Sequence, residues 1–94
     1  VTASDVPAEI VFLRNLTIGS IGIDILHLQR FLYGLGYTDV PFENLGNVEI
    51  GYFGTTTRDA LARFQTAAEI KPAAGFFGIK TRKYINNMLR FIGR

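Results

Sequence analysis

The chain has 94 residues, of which 48% are hydrophobic and 19% charged, a composition typical of one small globular domain. It contains no cysteine, which excludes disulfides and thiol nucleophiles, and no apolar run approaches the roughly 20 residues that a membrane-spanning helix needs. The net charge is only +2, but residues 71–94 hold six basic groups and no acid. Such a segment indicates either attraction to anionic polymers or a solvated helix face.

The N-terminal residues are predicted to lead into the domain without belonging to it. Residues 1–8 include Pro7 and read as a linker or tail, so the domain is expected to span residues 9–94. The first five residues lack the pattern of a signal peptide, and we interpret the chain as a piece of a longer protein. Next, Val11, Leu13, Leu16 and Ile18 partly alternate, with Phe12 out of phase, which favours an extended segment lying on the helices.

A first helix is predicted from Asp24, whose carboxylate suits the positive end of a helix dipole. Apolar residues then recur at spacings of three, four and three until Gly34 and Gly36 end the pattern; these are Ile25, Leu28, Leu32 and Leu35. A loop without regular period follows as far as Ile50. It could serve recognition, or it could be an insertion held down by Phe42 and Leu45.

The strongest pattern is a repeat of eight residues. Gly51–Arg58 and Gly75–Arg82 share the order Gly, aromatic, Phe, Gly, two variable residues, Thr and Arg, at a spacing of 24. Each copy predicts a turn that presses Phe53 or Phe77 into the core and opens a helix. The threonines, Thr57 and Thr81, are expected in the first turns of these helices, where their hydroxyls could bond free backbone groups.

The second helix should end near Ile70, before Pro72, and the third near Gly93. Their predicted inner faces consist of Ala60, Leu61, Phe64, Ala67 and Ala68, and of Ile85, Met88, Leu89 and Ile92. A second, shorter repeat occurs on the first two helices, where Gln29 and Gln65 each follow an apolar core position. Such a glutamine could hold a turn or face a ligand. The expected fold is all-α: a compact three-helix bundle with an extended N-terminal segment and a long loop between its first two helices.

Few residues suggest catalysis. His27 is the only histidine and is expected at the surface, because it has no second imidazole or cysteine with which to form a metal site. A pair of carboxylates across a cleft, as in glycosidases, is not indicated, although Asp39, Glu43 and Glu49 near the loop leave such a pair open. The glycine-rich turns lack the lysine and hydroxyl spacing of a phosphate-binding loop. We therefore predict no catalytic residue, no metal and no cofactor.

Several of these motifs together resemble a known family. Gly19-Ser20-x-Gly22-x-Asp24-Ile25, Leu28-Gln29, Gly36-Tyr37, Gly51-x-Phe53-Gly54-x-x-Thr57, Phe64-Gln65 and Gly75-x-Phe77-Gly78-x-x-Thr81 are similar to the peptidoglycan-binding-like domain of bacterial cell-wall proteins. The resemblance spans residues 16–92. It implies a noncatalytic three-helix module that binds peptidoglycan or a related wall polymer and holds a catalytic domain of the same chain outside the cytoplasm. The stretch 38–50 is longer than the usual connection, which leaves the ligand open.

The binding residues are predicted from the chemistry of this polymer. Peptidoglycan presents sugar faces and stem-peptide carboxylates, which suit exposed aromatic rings beside cationic side chains. A shallow groove edged by Tyr37, Tyr52, Arg58 and Gln65 is the predicted site.

Two other functions remain open at this point. A protein-interaction or assembly module could use the long loop for docking. A nucleic-acid-binding domain could use the basic third helix, but the acidic N-terminal half disfavours it.

Overall fold

Three α-helices form the regular structure of the computed structural model, which describes residues 11–38 and 51–92. They are α1 (Ile23–Gly34), α2 (Thr55–Ala67) and α3 (Ile79–Ile92). Isolated β-bridges, and no longer strand, occur within these described ranges. The predicted all-α three-helix fold is thereby confirmed. The predicted linker, Phe42, Leu45 and Gly93 lie outside the described residues.

Helix α1 buries the stripe that its apolar spacing predicts, except at its C-terminal end. Its buried apolar residues are Ile25, Leu28, Phe31 and Leu32, whereas Leu35 lies beyond the helix and is exposed. The chain then leaves the helix through a Schellman motif: the amide of Gly36 donates to Tyr33 O at 3.0 Å and that of Tyr37 to Leu32 O at 2.9 Å. Gly36 has a φ of 85°, which glycine adopts without steric cost.

Helix α2 ends at Ala67, three residues before the predicted Ile70, and the reason is a second Schellman motif. The amide of Glu69 donates to Thr66 O, and the amide of Ile70 donates to Gln65 O at 2.8 Å. Glu69 has a φ of 59°, so a residue other than glycine occupies the left-handed position. Glu69 thus lies just outside the helix, not within it as the sequence suggested. This turn directs residues 70–72 back across the start of α3.

The segment of residues 16–22, here called the linking segment, ties both glycine-rich turns to the bundle. Leu16 and Phe77 exchange two backbone hydrogen bonds of 3.0 and 2.9 Å. Further along, the amide of Phe53 donates to Ser20 O at 2.9 Å and the amide of Gly22 to Gly51 O at 3.0 Å. Both turns are therefore fixed to the linking segment, which itself turns between Thr17 and Ser20, as well as to the helices they open.

The N-terminal segment lies on the helices as predicted, but with different residues facing inward. Phe12 is buried against Phe77, with ring centroids 5.1 Å apart, whereas Val11 and Leu13 are exposed. The side-chain amide of Asn86 on α3 holds the Phe12 backbone, accepting from its N–H at 2.8 Å and donating to its carbonyl at 3.1 Å. Of the residues in the predicted pattern, Leu16 is buried, whereas Val11, Leu13 and Ile18 are exposed, because the aromatic contact of Phe12 fixes the orientation of the segment.

One ion pair joins this segment to the start of α1. Arg14 donates to both carboxylate oxygens of Asp24, at 2.7 and 3.0 Å, and to Ile21 O. The hydrogen bonds from Arg14 hold the pKa of Asp24 below its ordinary value, against a smaller opposing effect of burial. The Asp24 side chain keeps 28% of its surface exposed, so solvent screens part of the attraction.

We expect Asp24→Asn to be modestly less stable than the parent chain at pH 7. Because the folded-state pKa of Asp24 is depressed, its stabilising effect is present at neutral pH and fades as the pH falls below about 4. Urea unfolding followed by circular dichroism at pH 7 and at about pH 3 measures this. An equal difference in the free energy of unfolding between the two proteins at both pH values would contradict the stabilising role of ionised Asp24.

Candidate functional site

The two glycine-rich turns present their aromatic residues in the same way. Phe53 and Phe77, the second aromatic of each copy, have no exposed surface, as the repeat predicts. The first aromatic of each copy points outward: Tyr52 is 36% exposed and Phe76 is 47% exposed. Each turn therefore uses one ring to fill the core and leaves the other at the surface, where it can contact a ligand.

A buried glutamine holds the second turn. Oε1 of Gln65 accepts from the amide of Gly75 at 2.9 Å, while Nε2 donates to Phe76 O at 2.8 Å and to the Thr81 hydroxyl at 3.0 Å. Gln65 is 1% exposed. All three bonds satisfy buried or half-buried polar groups, so the side chain fixes the backbone from which the Phe76 ring projects.

The first turn is held in the same manner by Gln29. Its Oε1 accepts from Gly51 N, and its Nε2 donates to Tyr52 O and to the Thr57 hydroxyl, at 3.0 to 3.1 Å. The two threonine hydroxyls thus accept from glutamines, whereas the sequence suggested backbone partners at the helix starts. The sequence left open whether these glutamines hold a turn or face a ligand. In the structure both of them hold turns.

A surface groove of about 200 Å³ lies beside the second turn. Its wall is formed by the chain that leaves α2 and by the first turn of α3. We call it the Phe76 groove, lined by Ile70, Lys71, Pro72, Phe76, Ile79 and Lys80, with Gly78, Gln65 and Thr81 at its base.

The exposed ring of Phe76 lies over Gly78, and this contact shapes the groove. A Cβ built at Gly78 would come 2.8 Å from Cε2 of Phe76. Glycine at this position therefore lets the ring lie close to the backbone at the start of α3. Any larger residue would displace the ring.

The charged residues that line the Phe76 groove are both lysines, Lys71 and Lys80. Nζ of Lys80 donates to the backbone carbonyl of Lys71 at 3.2 Å, which draws the ammonium across the groove. No carboxylate is among the lining residues. The groove combines apolar walls with two positive charges, and it is suited to an anionic ligand that also has apolar groups.

A smaller space lies beside the first turn of α2 in the described residues. It measures about 10 Å³, room for no more than a single water. The lining residues include Gln29 and Thr57, the counterparts of Gln65 and Thr81, with Thr56 where the second copy has Lys80. The repeat is thus symmetric in how its turns are held and asymmetric in the cavity beside them.

The four residues predicted from the sequence do not form one site through direct contacts. Tyr37 packs edge-on against Phe64 at 5.6 Å, and Tyr52 stands exposed at the first turn. Arg58 pairs with the adjacent Asp59 and lies against Gly75, while Gln65 lies at the base of the Phe76 groove. No hydrogen bond or ring contact in the described part of the chain joins two of the four.

Sequence reasoning missed Phe76, Lys71 and Lys80 as candidates. The repeat contained the signal for Phe76, because this residue aligns with Tyr52, which was selected for its expected exposure. The lysines carried no comparable signal. Lys71 lies at the groove because α2 ends early, at Ala67, and the chain turns at Glu69; a left-handed glutamate at that point is not predictable from periodicity.

His27 lies within the described residues, whereas Asp39, Glu43 and Glu49 lie outside them. His27 is half-buried rather than at the surface, and its Nδ1 has no hydrogen-bond partner there. Burial, followed by the nearby Arg30, lowers the pKa of His27. No group of three or more histidine, cysteine or acidic residues that could hold a metal ion occurs in the ranges 11–38 and 51–92.

Comparison with known proteins gives one match. A family model described as "Putative peptidoglycan binding domain" matches residues 22–85, which is more than half of the chain. The matched range contains both glycine-rich turns, both glutamines and the whole Phe76 groove. No curated protein and no solved structure matches the chain significantly.

Proposed function

We propose that this chain, which belongs to the peptidoglycan-binding domain family, is a noncatalytic module. It attaches to the bacterial cell wall through the Phe76 groove. The observation that carries this proposal is an exposed aromatic ring beside two lysines in a groove that the family match covers. The fixed backbone of the second turn supports it, because a ring held in one place loses little conformational entropy on binding.

The chemistry of the polymer fits this surface. Peptidoglycan consists of amphipathic sugars and of short peptides that carry free carboxylates. An aromatic face can pack against sugar rings or methyl groups, and an ammonium group can pair with a carboxylate. The described residues 71–90 contain no acid that would repel such a ligand.

The wider role that we propose follows from the family. A wall-binding module raises the local concentration of an attached enzyme at its polymer, so we propose a cell-wall enzyme in the same chain and a location outside the cytoplasm. Within the described residues no helix is long and apolar enough to cross a membrane. Identifying the gene that encodes this domain would test both proposals, because they require an adjoining catalytic domain and an export signal.

We expect the double variant Phe76→Ala, Lys80→Ala to lose about 5- to 150-fold in affinity for purified sacculi, measured by co-sedimentation. The change removes an exposed ring and one charge, and each such contact is worth about 0.5–1.5 kcal/mol. Lys83→Ala is the matched control, since Lys83 is an exposed lysine of the same helix that does not line the groove. Unchanged sedimentation of the double variant would exclude the Phe76 groove as the binding surface.

The residues predicted from the sequence remain a second proposed contact at the first turn. Tyr52 and Arg58 are both partly exposed, and Tyr52→Ala, Arg58→Ala in the same assay tests them. A loss in this variant would extend the binding surface to the first turn. If the Tyr52→Ala, Arg58→Ala variant retains binding and the groove variant loses it, the binding surface is confined to the second turn. Duplex DNA serves as a control polymer, for which we expect no retention.

A further inference from the structure

We infer that the Phe76 groove recognises the free carboxyl terminus of a short aliphatic peptide, and that glycan chains do not occupy it. The inference deepens the proposed function, on which it rests for the source of the ligand: the peptides of the cell wall. Three features of the groove carry it, namely its charge, its lack of available hydrogen-bonding side chains and its size.

The charge of the groove selects an anion. Lys71 and Lys80 line it, and no aspartate or glutamate is among its lining residues. Lys80 is drawn over the groove by its bond to Lys71 O, which leaves further ammonium hydrogens for a ligand. A neutral sugar would gain little from this concentration of positive charge, whereas a carboxylate would pair with it.

The remaining lining does not suit a sugar. A glycan needs side chains that hydrogen-bond its hydroxyl groups, and the neutral polar side chains at the base are those of Gln65 and Thr81. These two are bonded to each other at 3.0 Å and are only 1% and 2% exposed, so little of either side chain can reach a ligand, and Gln65 is further bonded to the turn. The other walls are apolar, formed by Ile70, Pro72, Phe76 and Ile79. Methyl or methylene groups next to a carboxylate can pack on them.

The size of the groove indicates the end of a ligand. Its volume of about 200 Å³ is below the roughly 300–1,000 Å³ that drug-sized ligands occupy. A polymer chain passing through would need an open cleft of greater length. One or two small residues with a terminal carboxylate would fill this space, and D-alanyl-D-alanine, the end of an unprocessed wall peptide, has that form.

The test compares three soluble probes: N-acetyl-lysyl-D-alanyl-D-alanine, the same peptide with a C-terminal amide, and a linear tetramer of N-acetylglucosamine. Binding is followed by NMR chemical-shift titration of the chain. We expect the carboxylate peptide to bind at least about fivefold more tightly than its amide, with shifts centred on Phe76 and Lys80, and to weaken as salt is raised. The tetramer should cause no shifts at these residues.

Variants make the test specific. Lys80→Ala should remove the preference for carboxylate over amide, and Lys83→Ala should keep it. Equal binding of the two peptides, or tetramer shifts at Phe76, would overturn the inference. Retention on sacculi without peptide binding would leave the proposed function standing and remove this inference. Peptide binding without retention on sacculi would support the carboxylate site and contradict the wall as its source.

Discussion

Gly75→Ala should destabilise the fold by about 3 to 5 kcal/mol, near the upper end of single-residue effects. Gly75 has a φ of 80°, which an alanine adopts only with strain. The added Cβ would also lie 2.6 Å from Arg58 O and 3.2 Å from Arg58 C. Because these are backbone atoms inside α2, neither can move aside without disturbing the helix. A domain of this size has a total stability of about 5 to 14 kcal/mol, so the change should remove between about a fifth and all of it.

Gly51→Ala is the matched variant, because Gly51 is the counterpart of Gly75 in the first copy of the repeat. It has a similar φ of 74°, but its added Cβ would meet Gly22 O at 3.5 Å, an ordinary contact. We expect this change to cost only the conformational strain, about 1 to 2 kcal/mol. Urea unfolding followed by circular dichroism measures both. Similar losses in the two variants would show that the close approach of Gly75 to α2 is not significant.

The second large effect is expected at Gln65. Gln65→Ala removes three hydrogen bonds and leaves the Gly75 amide and the Phe76 carbonyl without their partner. Each buried group left unpaired costs about 1 to 3 kcal/mol, so the two together should cost about 2 to 6 kcal/mol. The same measurement of unfolding applies. A loss below about 1 kcal/mol would mean that water or a shifted turn replaces the glutamine.

Gln65→Glu separates the role of hydrogen bonding from that of side-chain volume. A carboxylate of the same shape can still accept from Gly75, but it cannot donate to Phe76 O, and its charge would be 1% exposed. Burial should therefore raise the folded-state pKa of the introduced acid above its unfolded value. The variant should then be least stable at neutral pH and regain stability as the pH falls towards about 4, because the protonated acid can donate again. The parent chain should not regain stability over this range.

The same variant also tests the link between the turn and the ligand. Because Gln65 binds the backbone of Phe76, a loosened turn should weaken retention on sacculi at a pH and temperature where the variant is still folded. Gln29→Glu disturbs the first turn in the same way, since Gln29 donates to Tyr52 O. Loss of retention in the first variant and not in the second would support the second turn as the binding element.

Local patterns in the sequence were sufficient for the helices and for the rings in the core. The apolar spacing of α1, the glycines before α2 and α3, and the repeated Phe53 and Phe77 each depend on residues a few positions apart. A helix repeats every 3.6 residues and a turn depends on individual glycines, so short segments carry this information. The resemblance used the same residues, and the family match confirmed it.

The site depended on contacts between residues far apart in the sequence. Phe12 is buried because Asn86 and Phe77, more than sixty positions away, receive it. Gln65 holds the second turn because Gly75 and Thr81 lie within hydrogen-bonding distance of its side-chain amide. Lys71 lies at the groove because α2 ends at a left-handed turn.

The sequence by itself therefore determined that this protein is a three-helix member of a wall-binding family, with one ring of each turn in its core. Only the tertiary structure decided which surface is concave and charged. The spacing of apolar residues predicts which face of a helix is buried. The volume left between packed segments depends instead on the direction that the turns give to the chain. For that reason the motif alone does not predict the volumes in the described residues, where a groove of about 200 Å³ lies beside the second turn and a space of about 10 Å³ lies beside the start of α2.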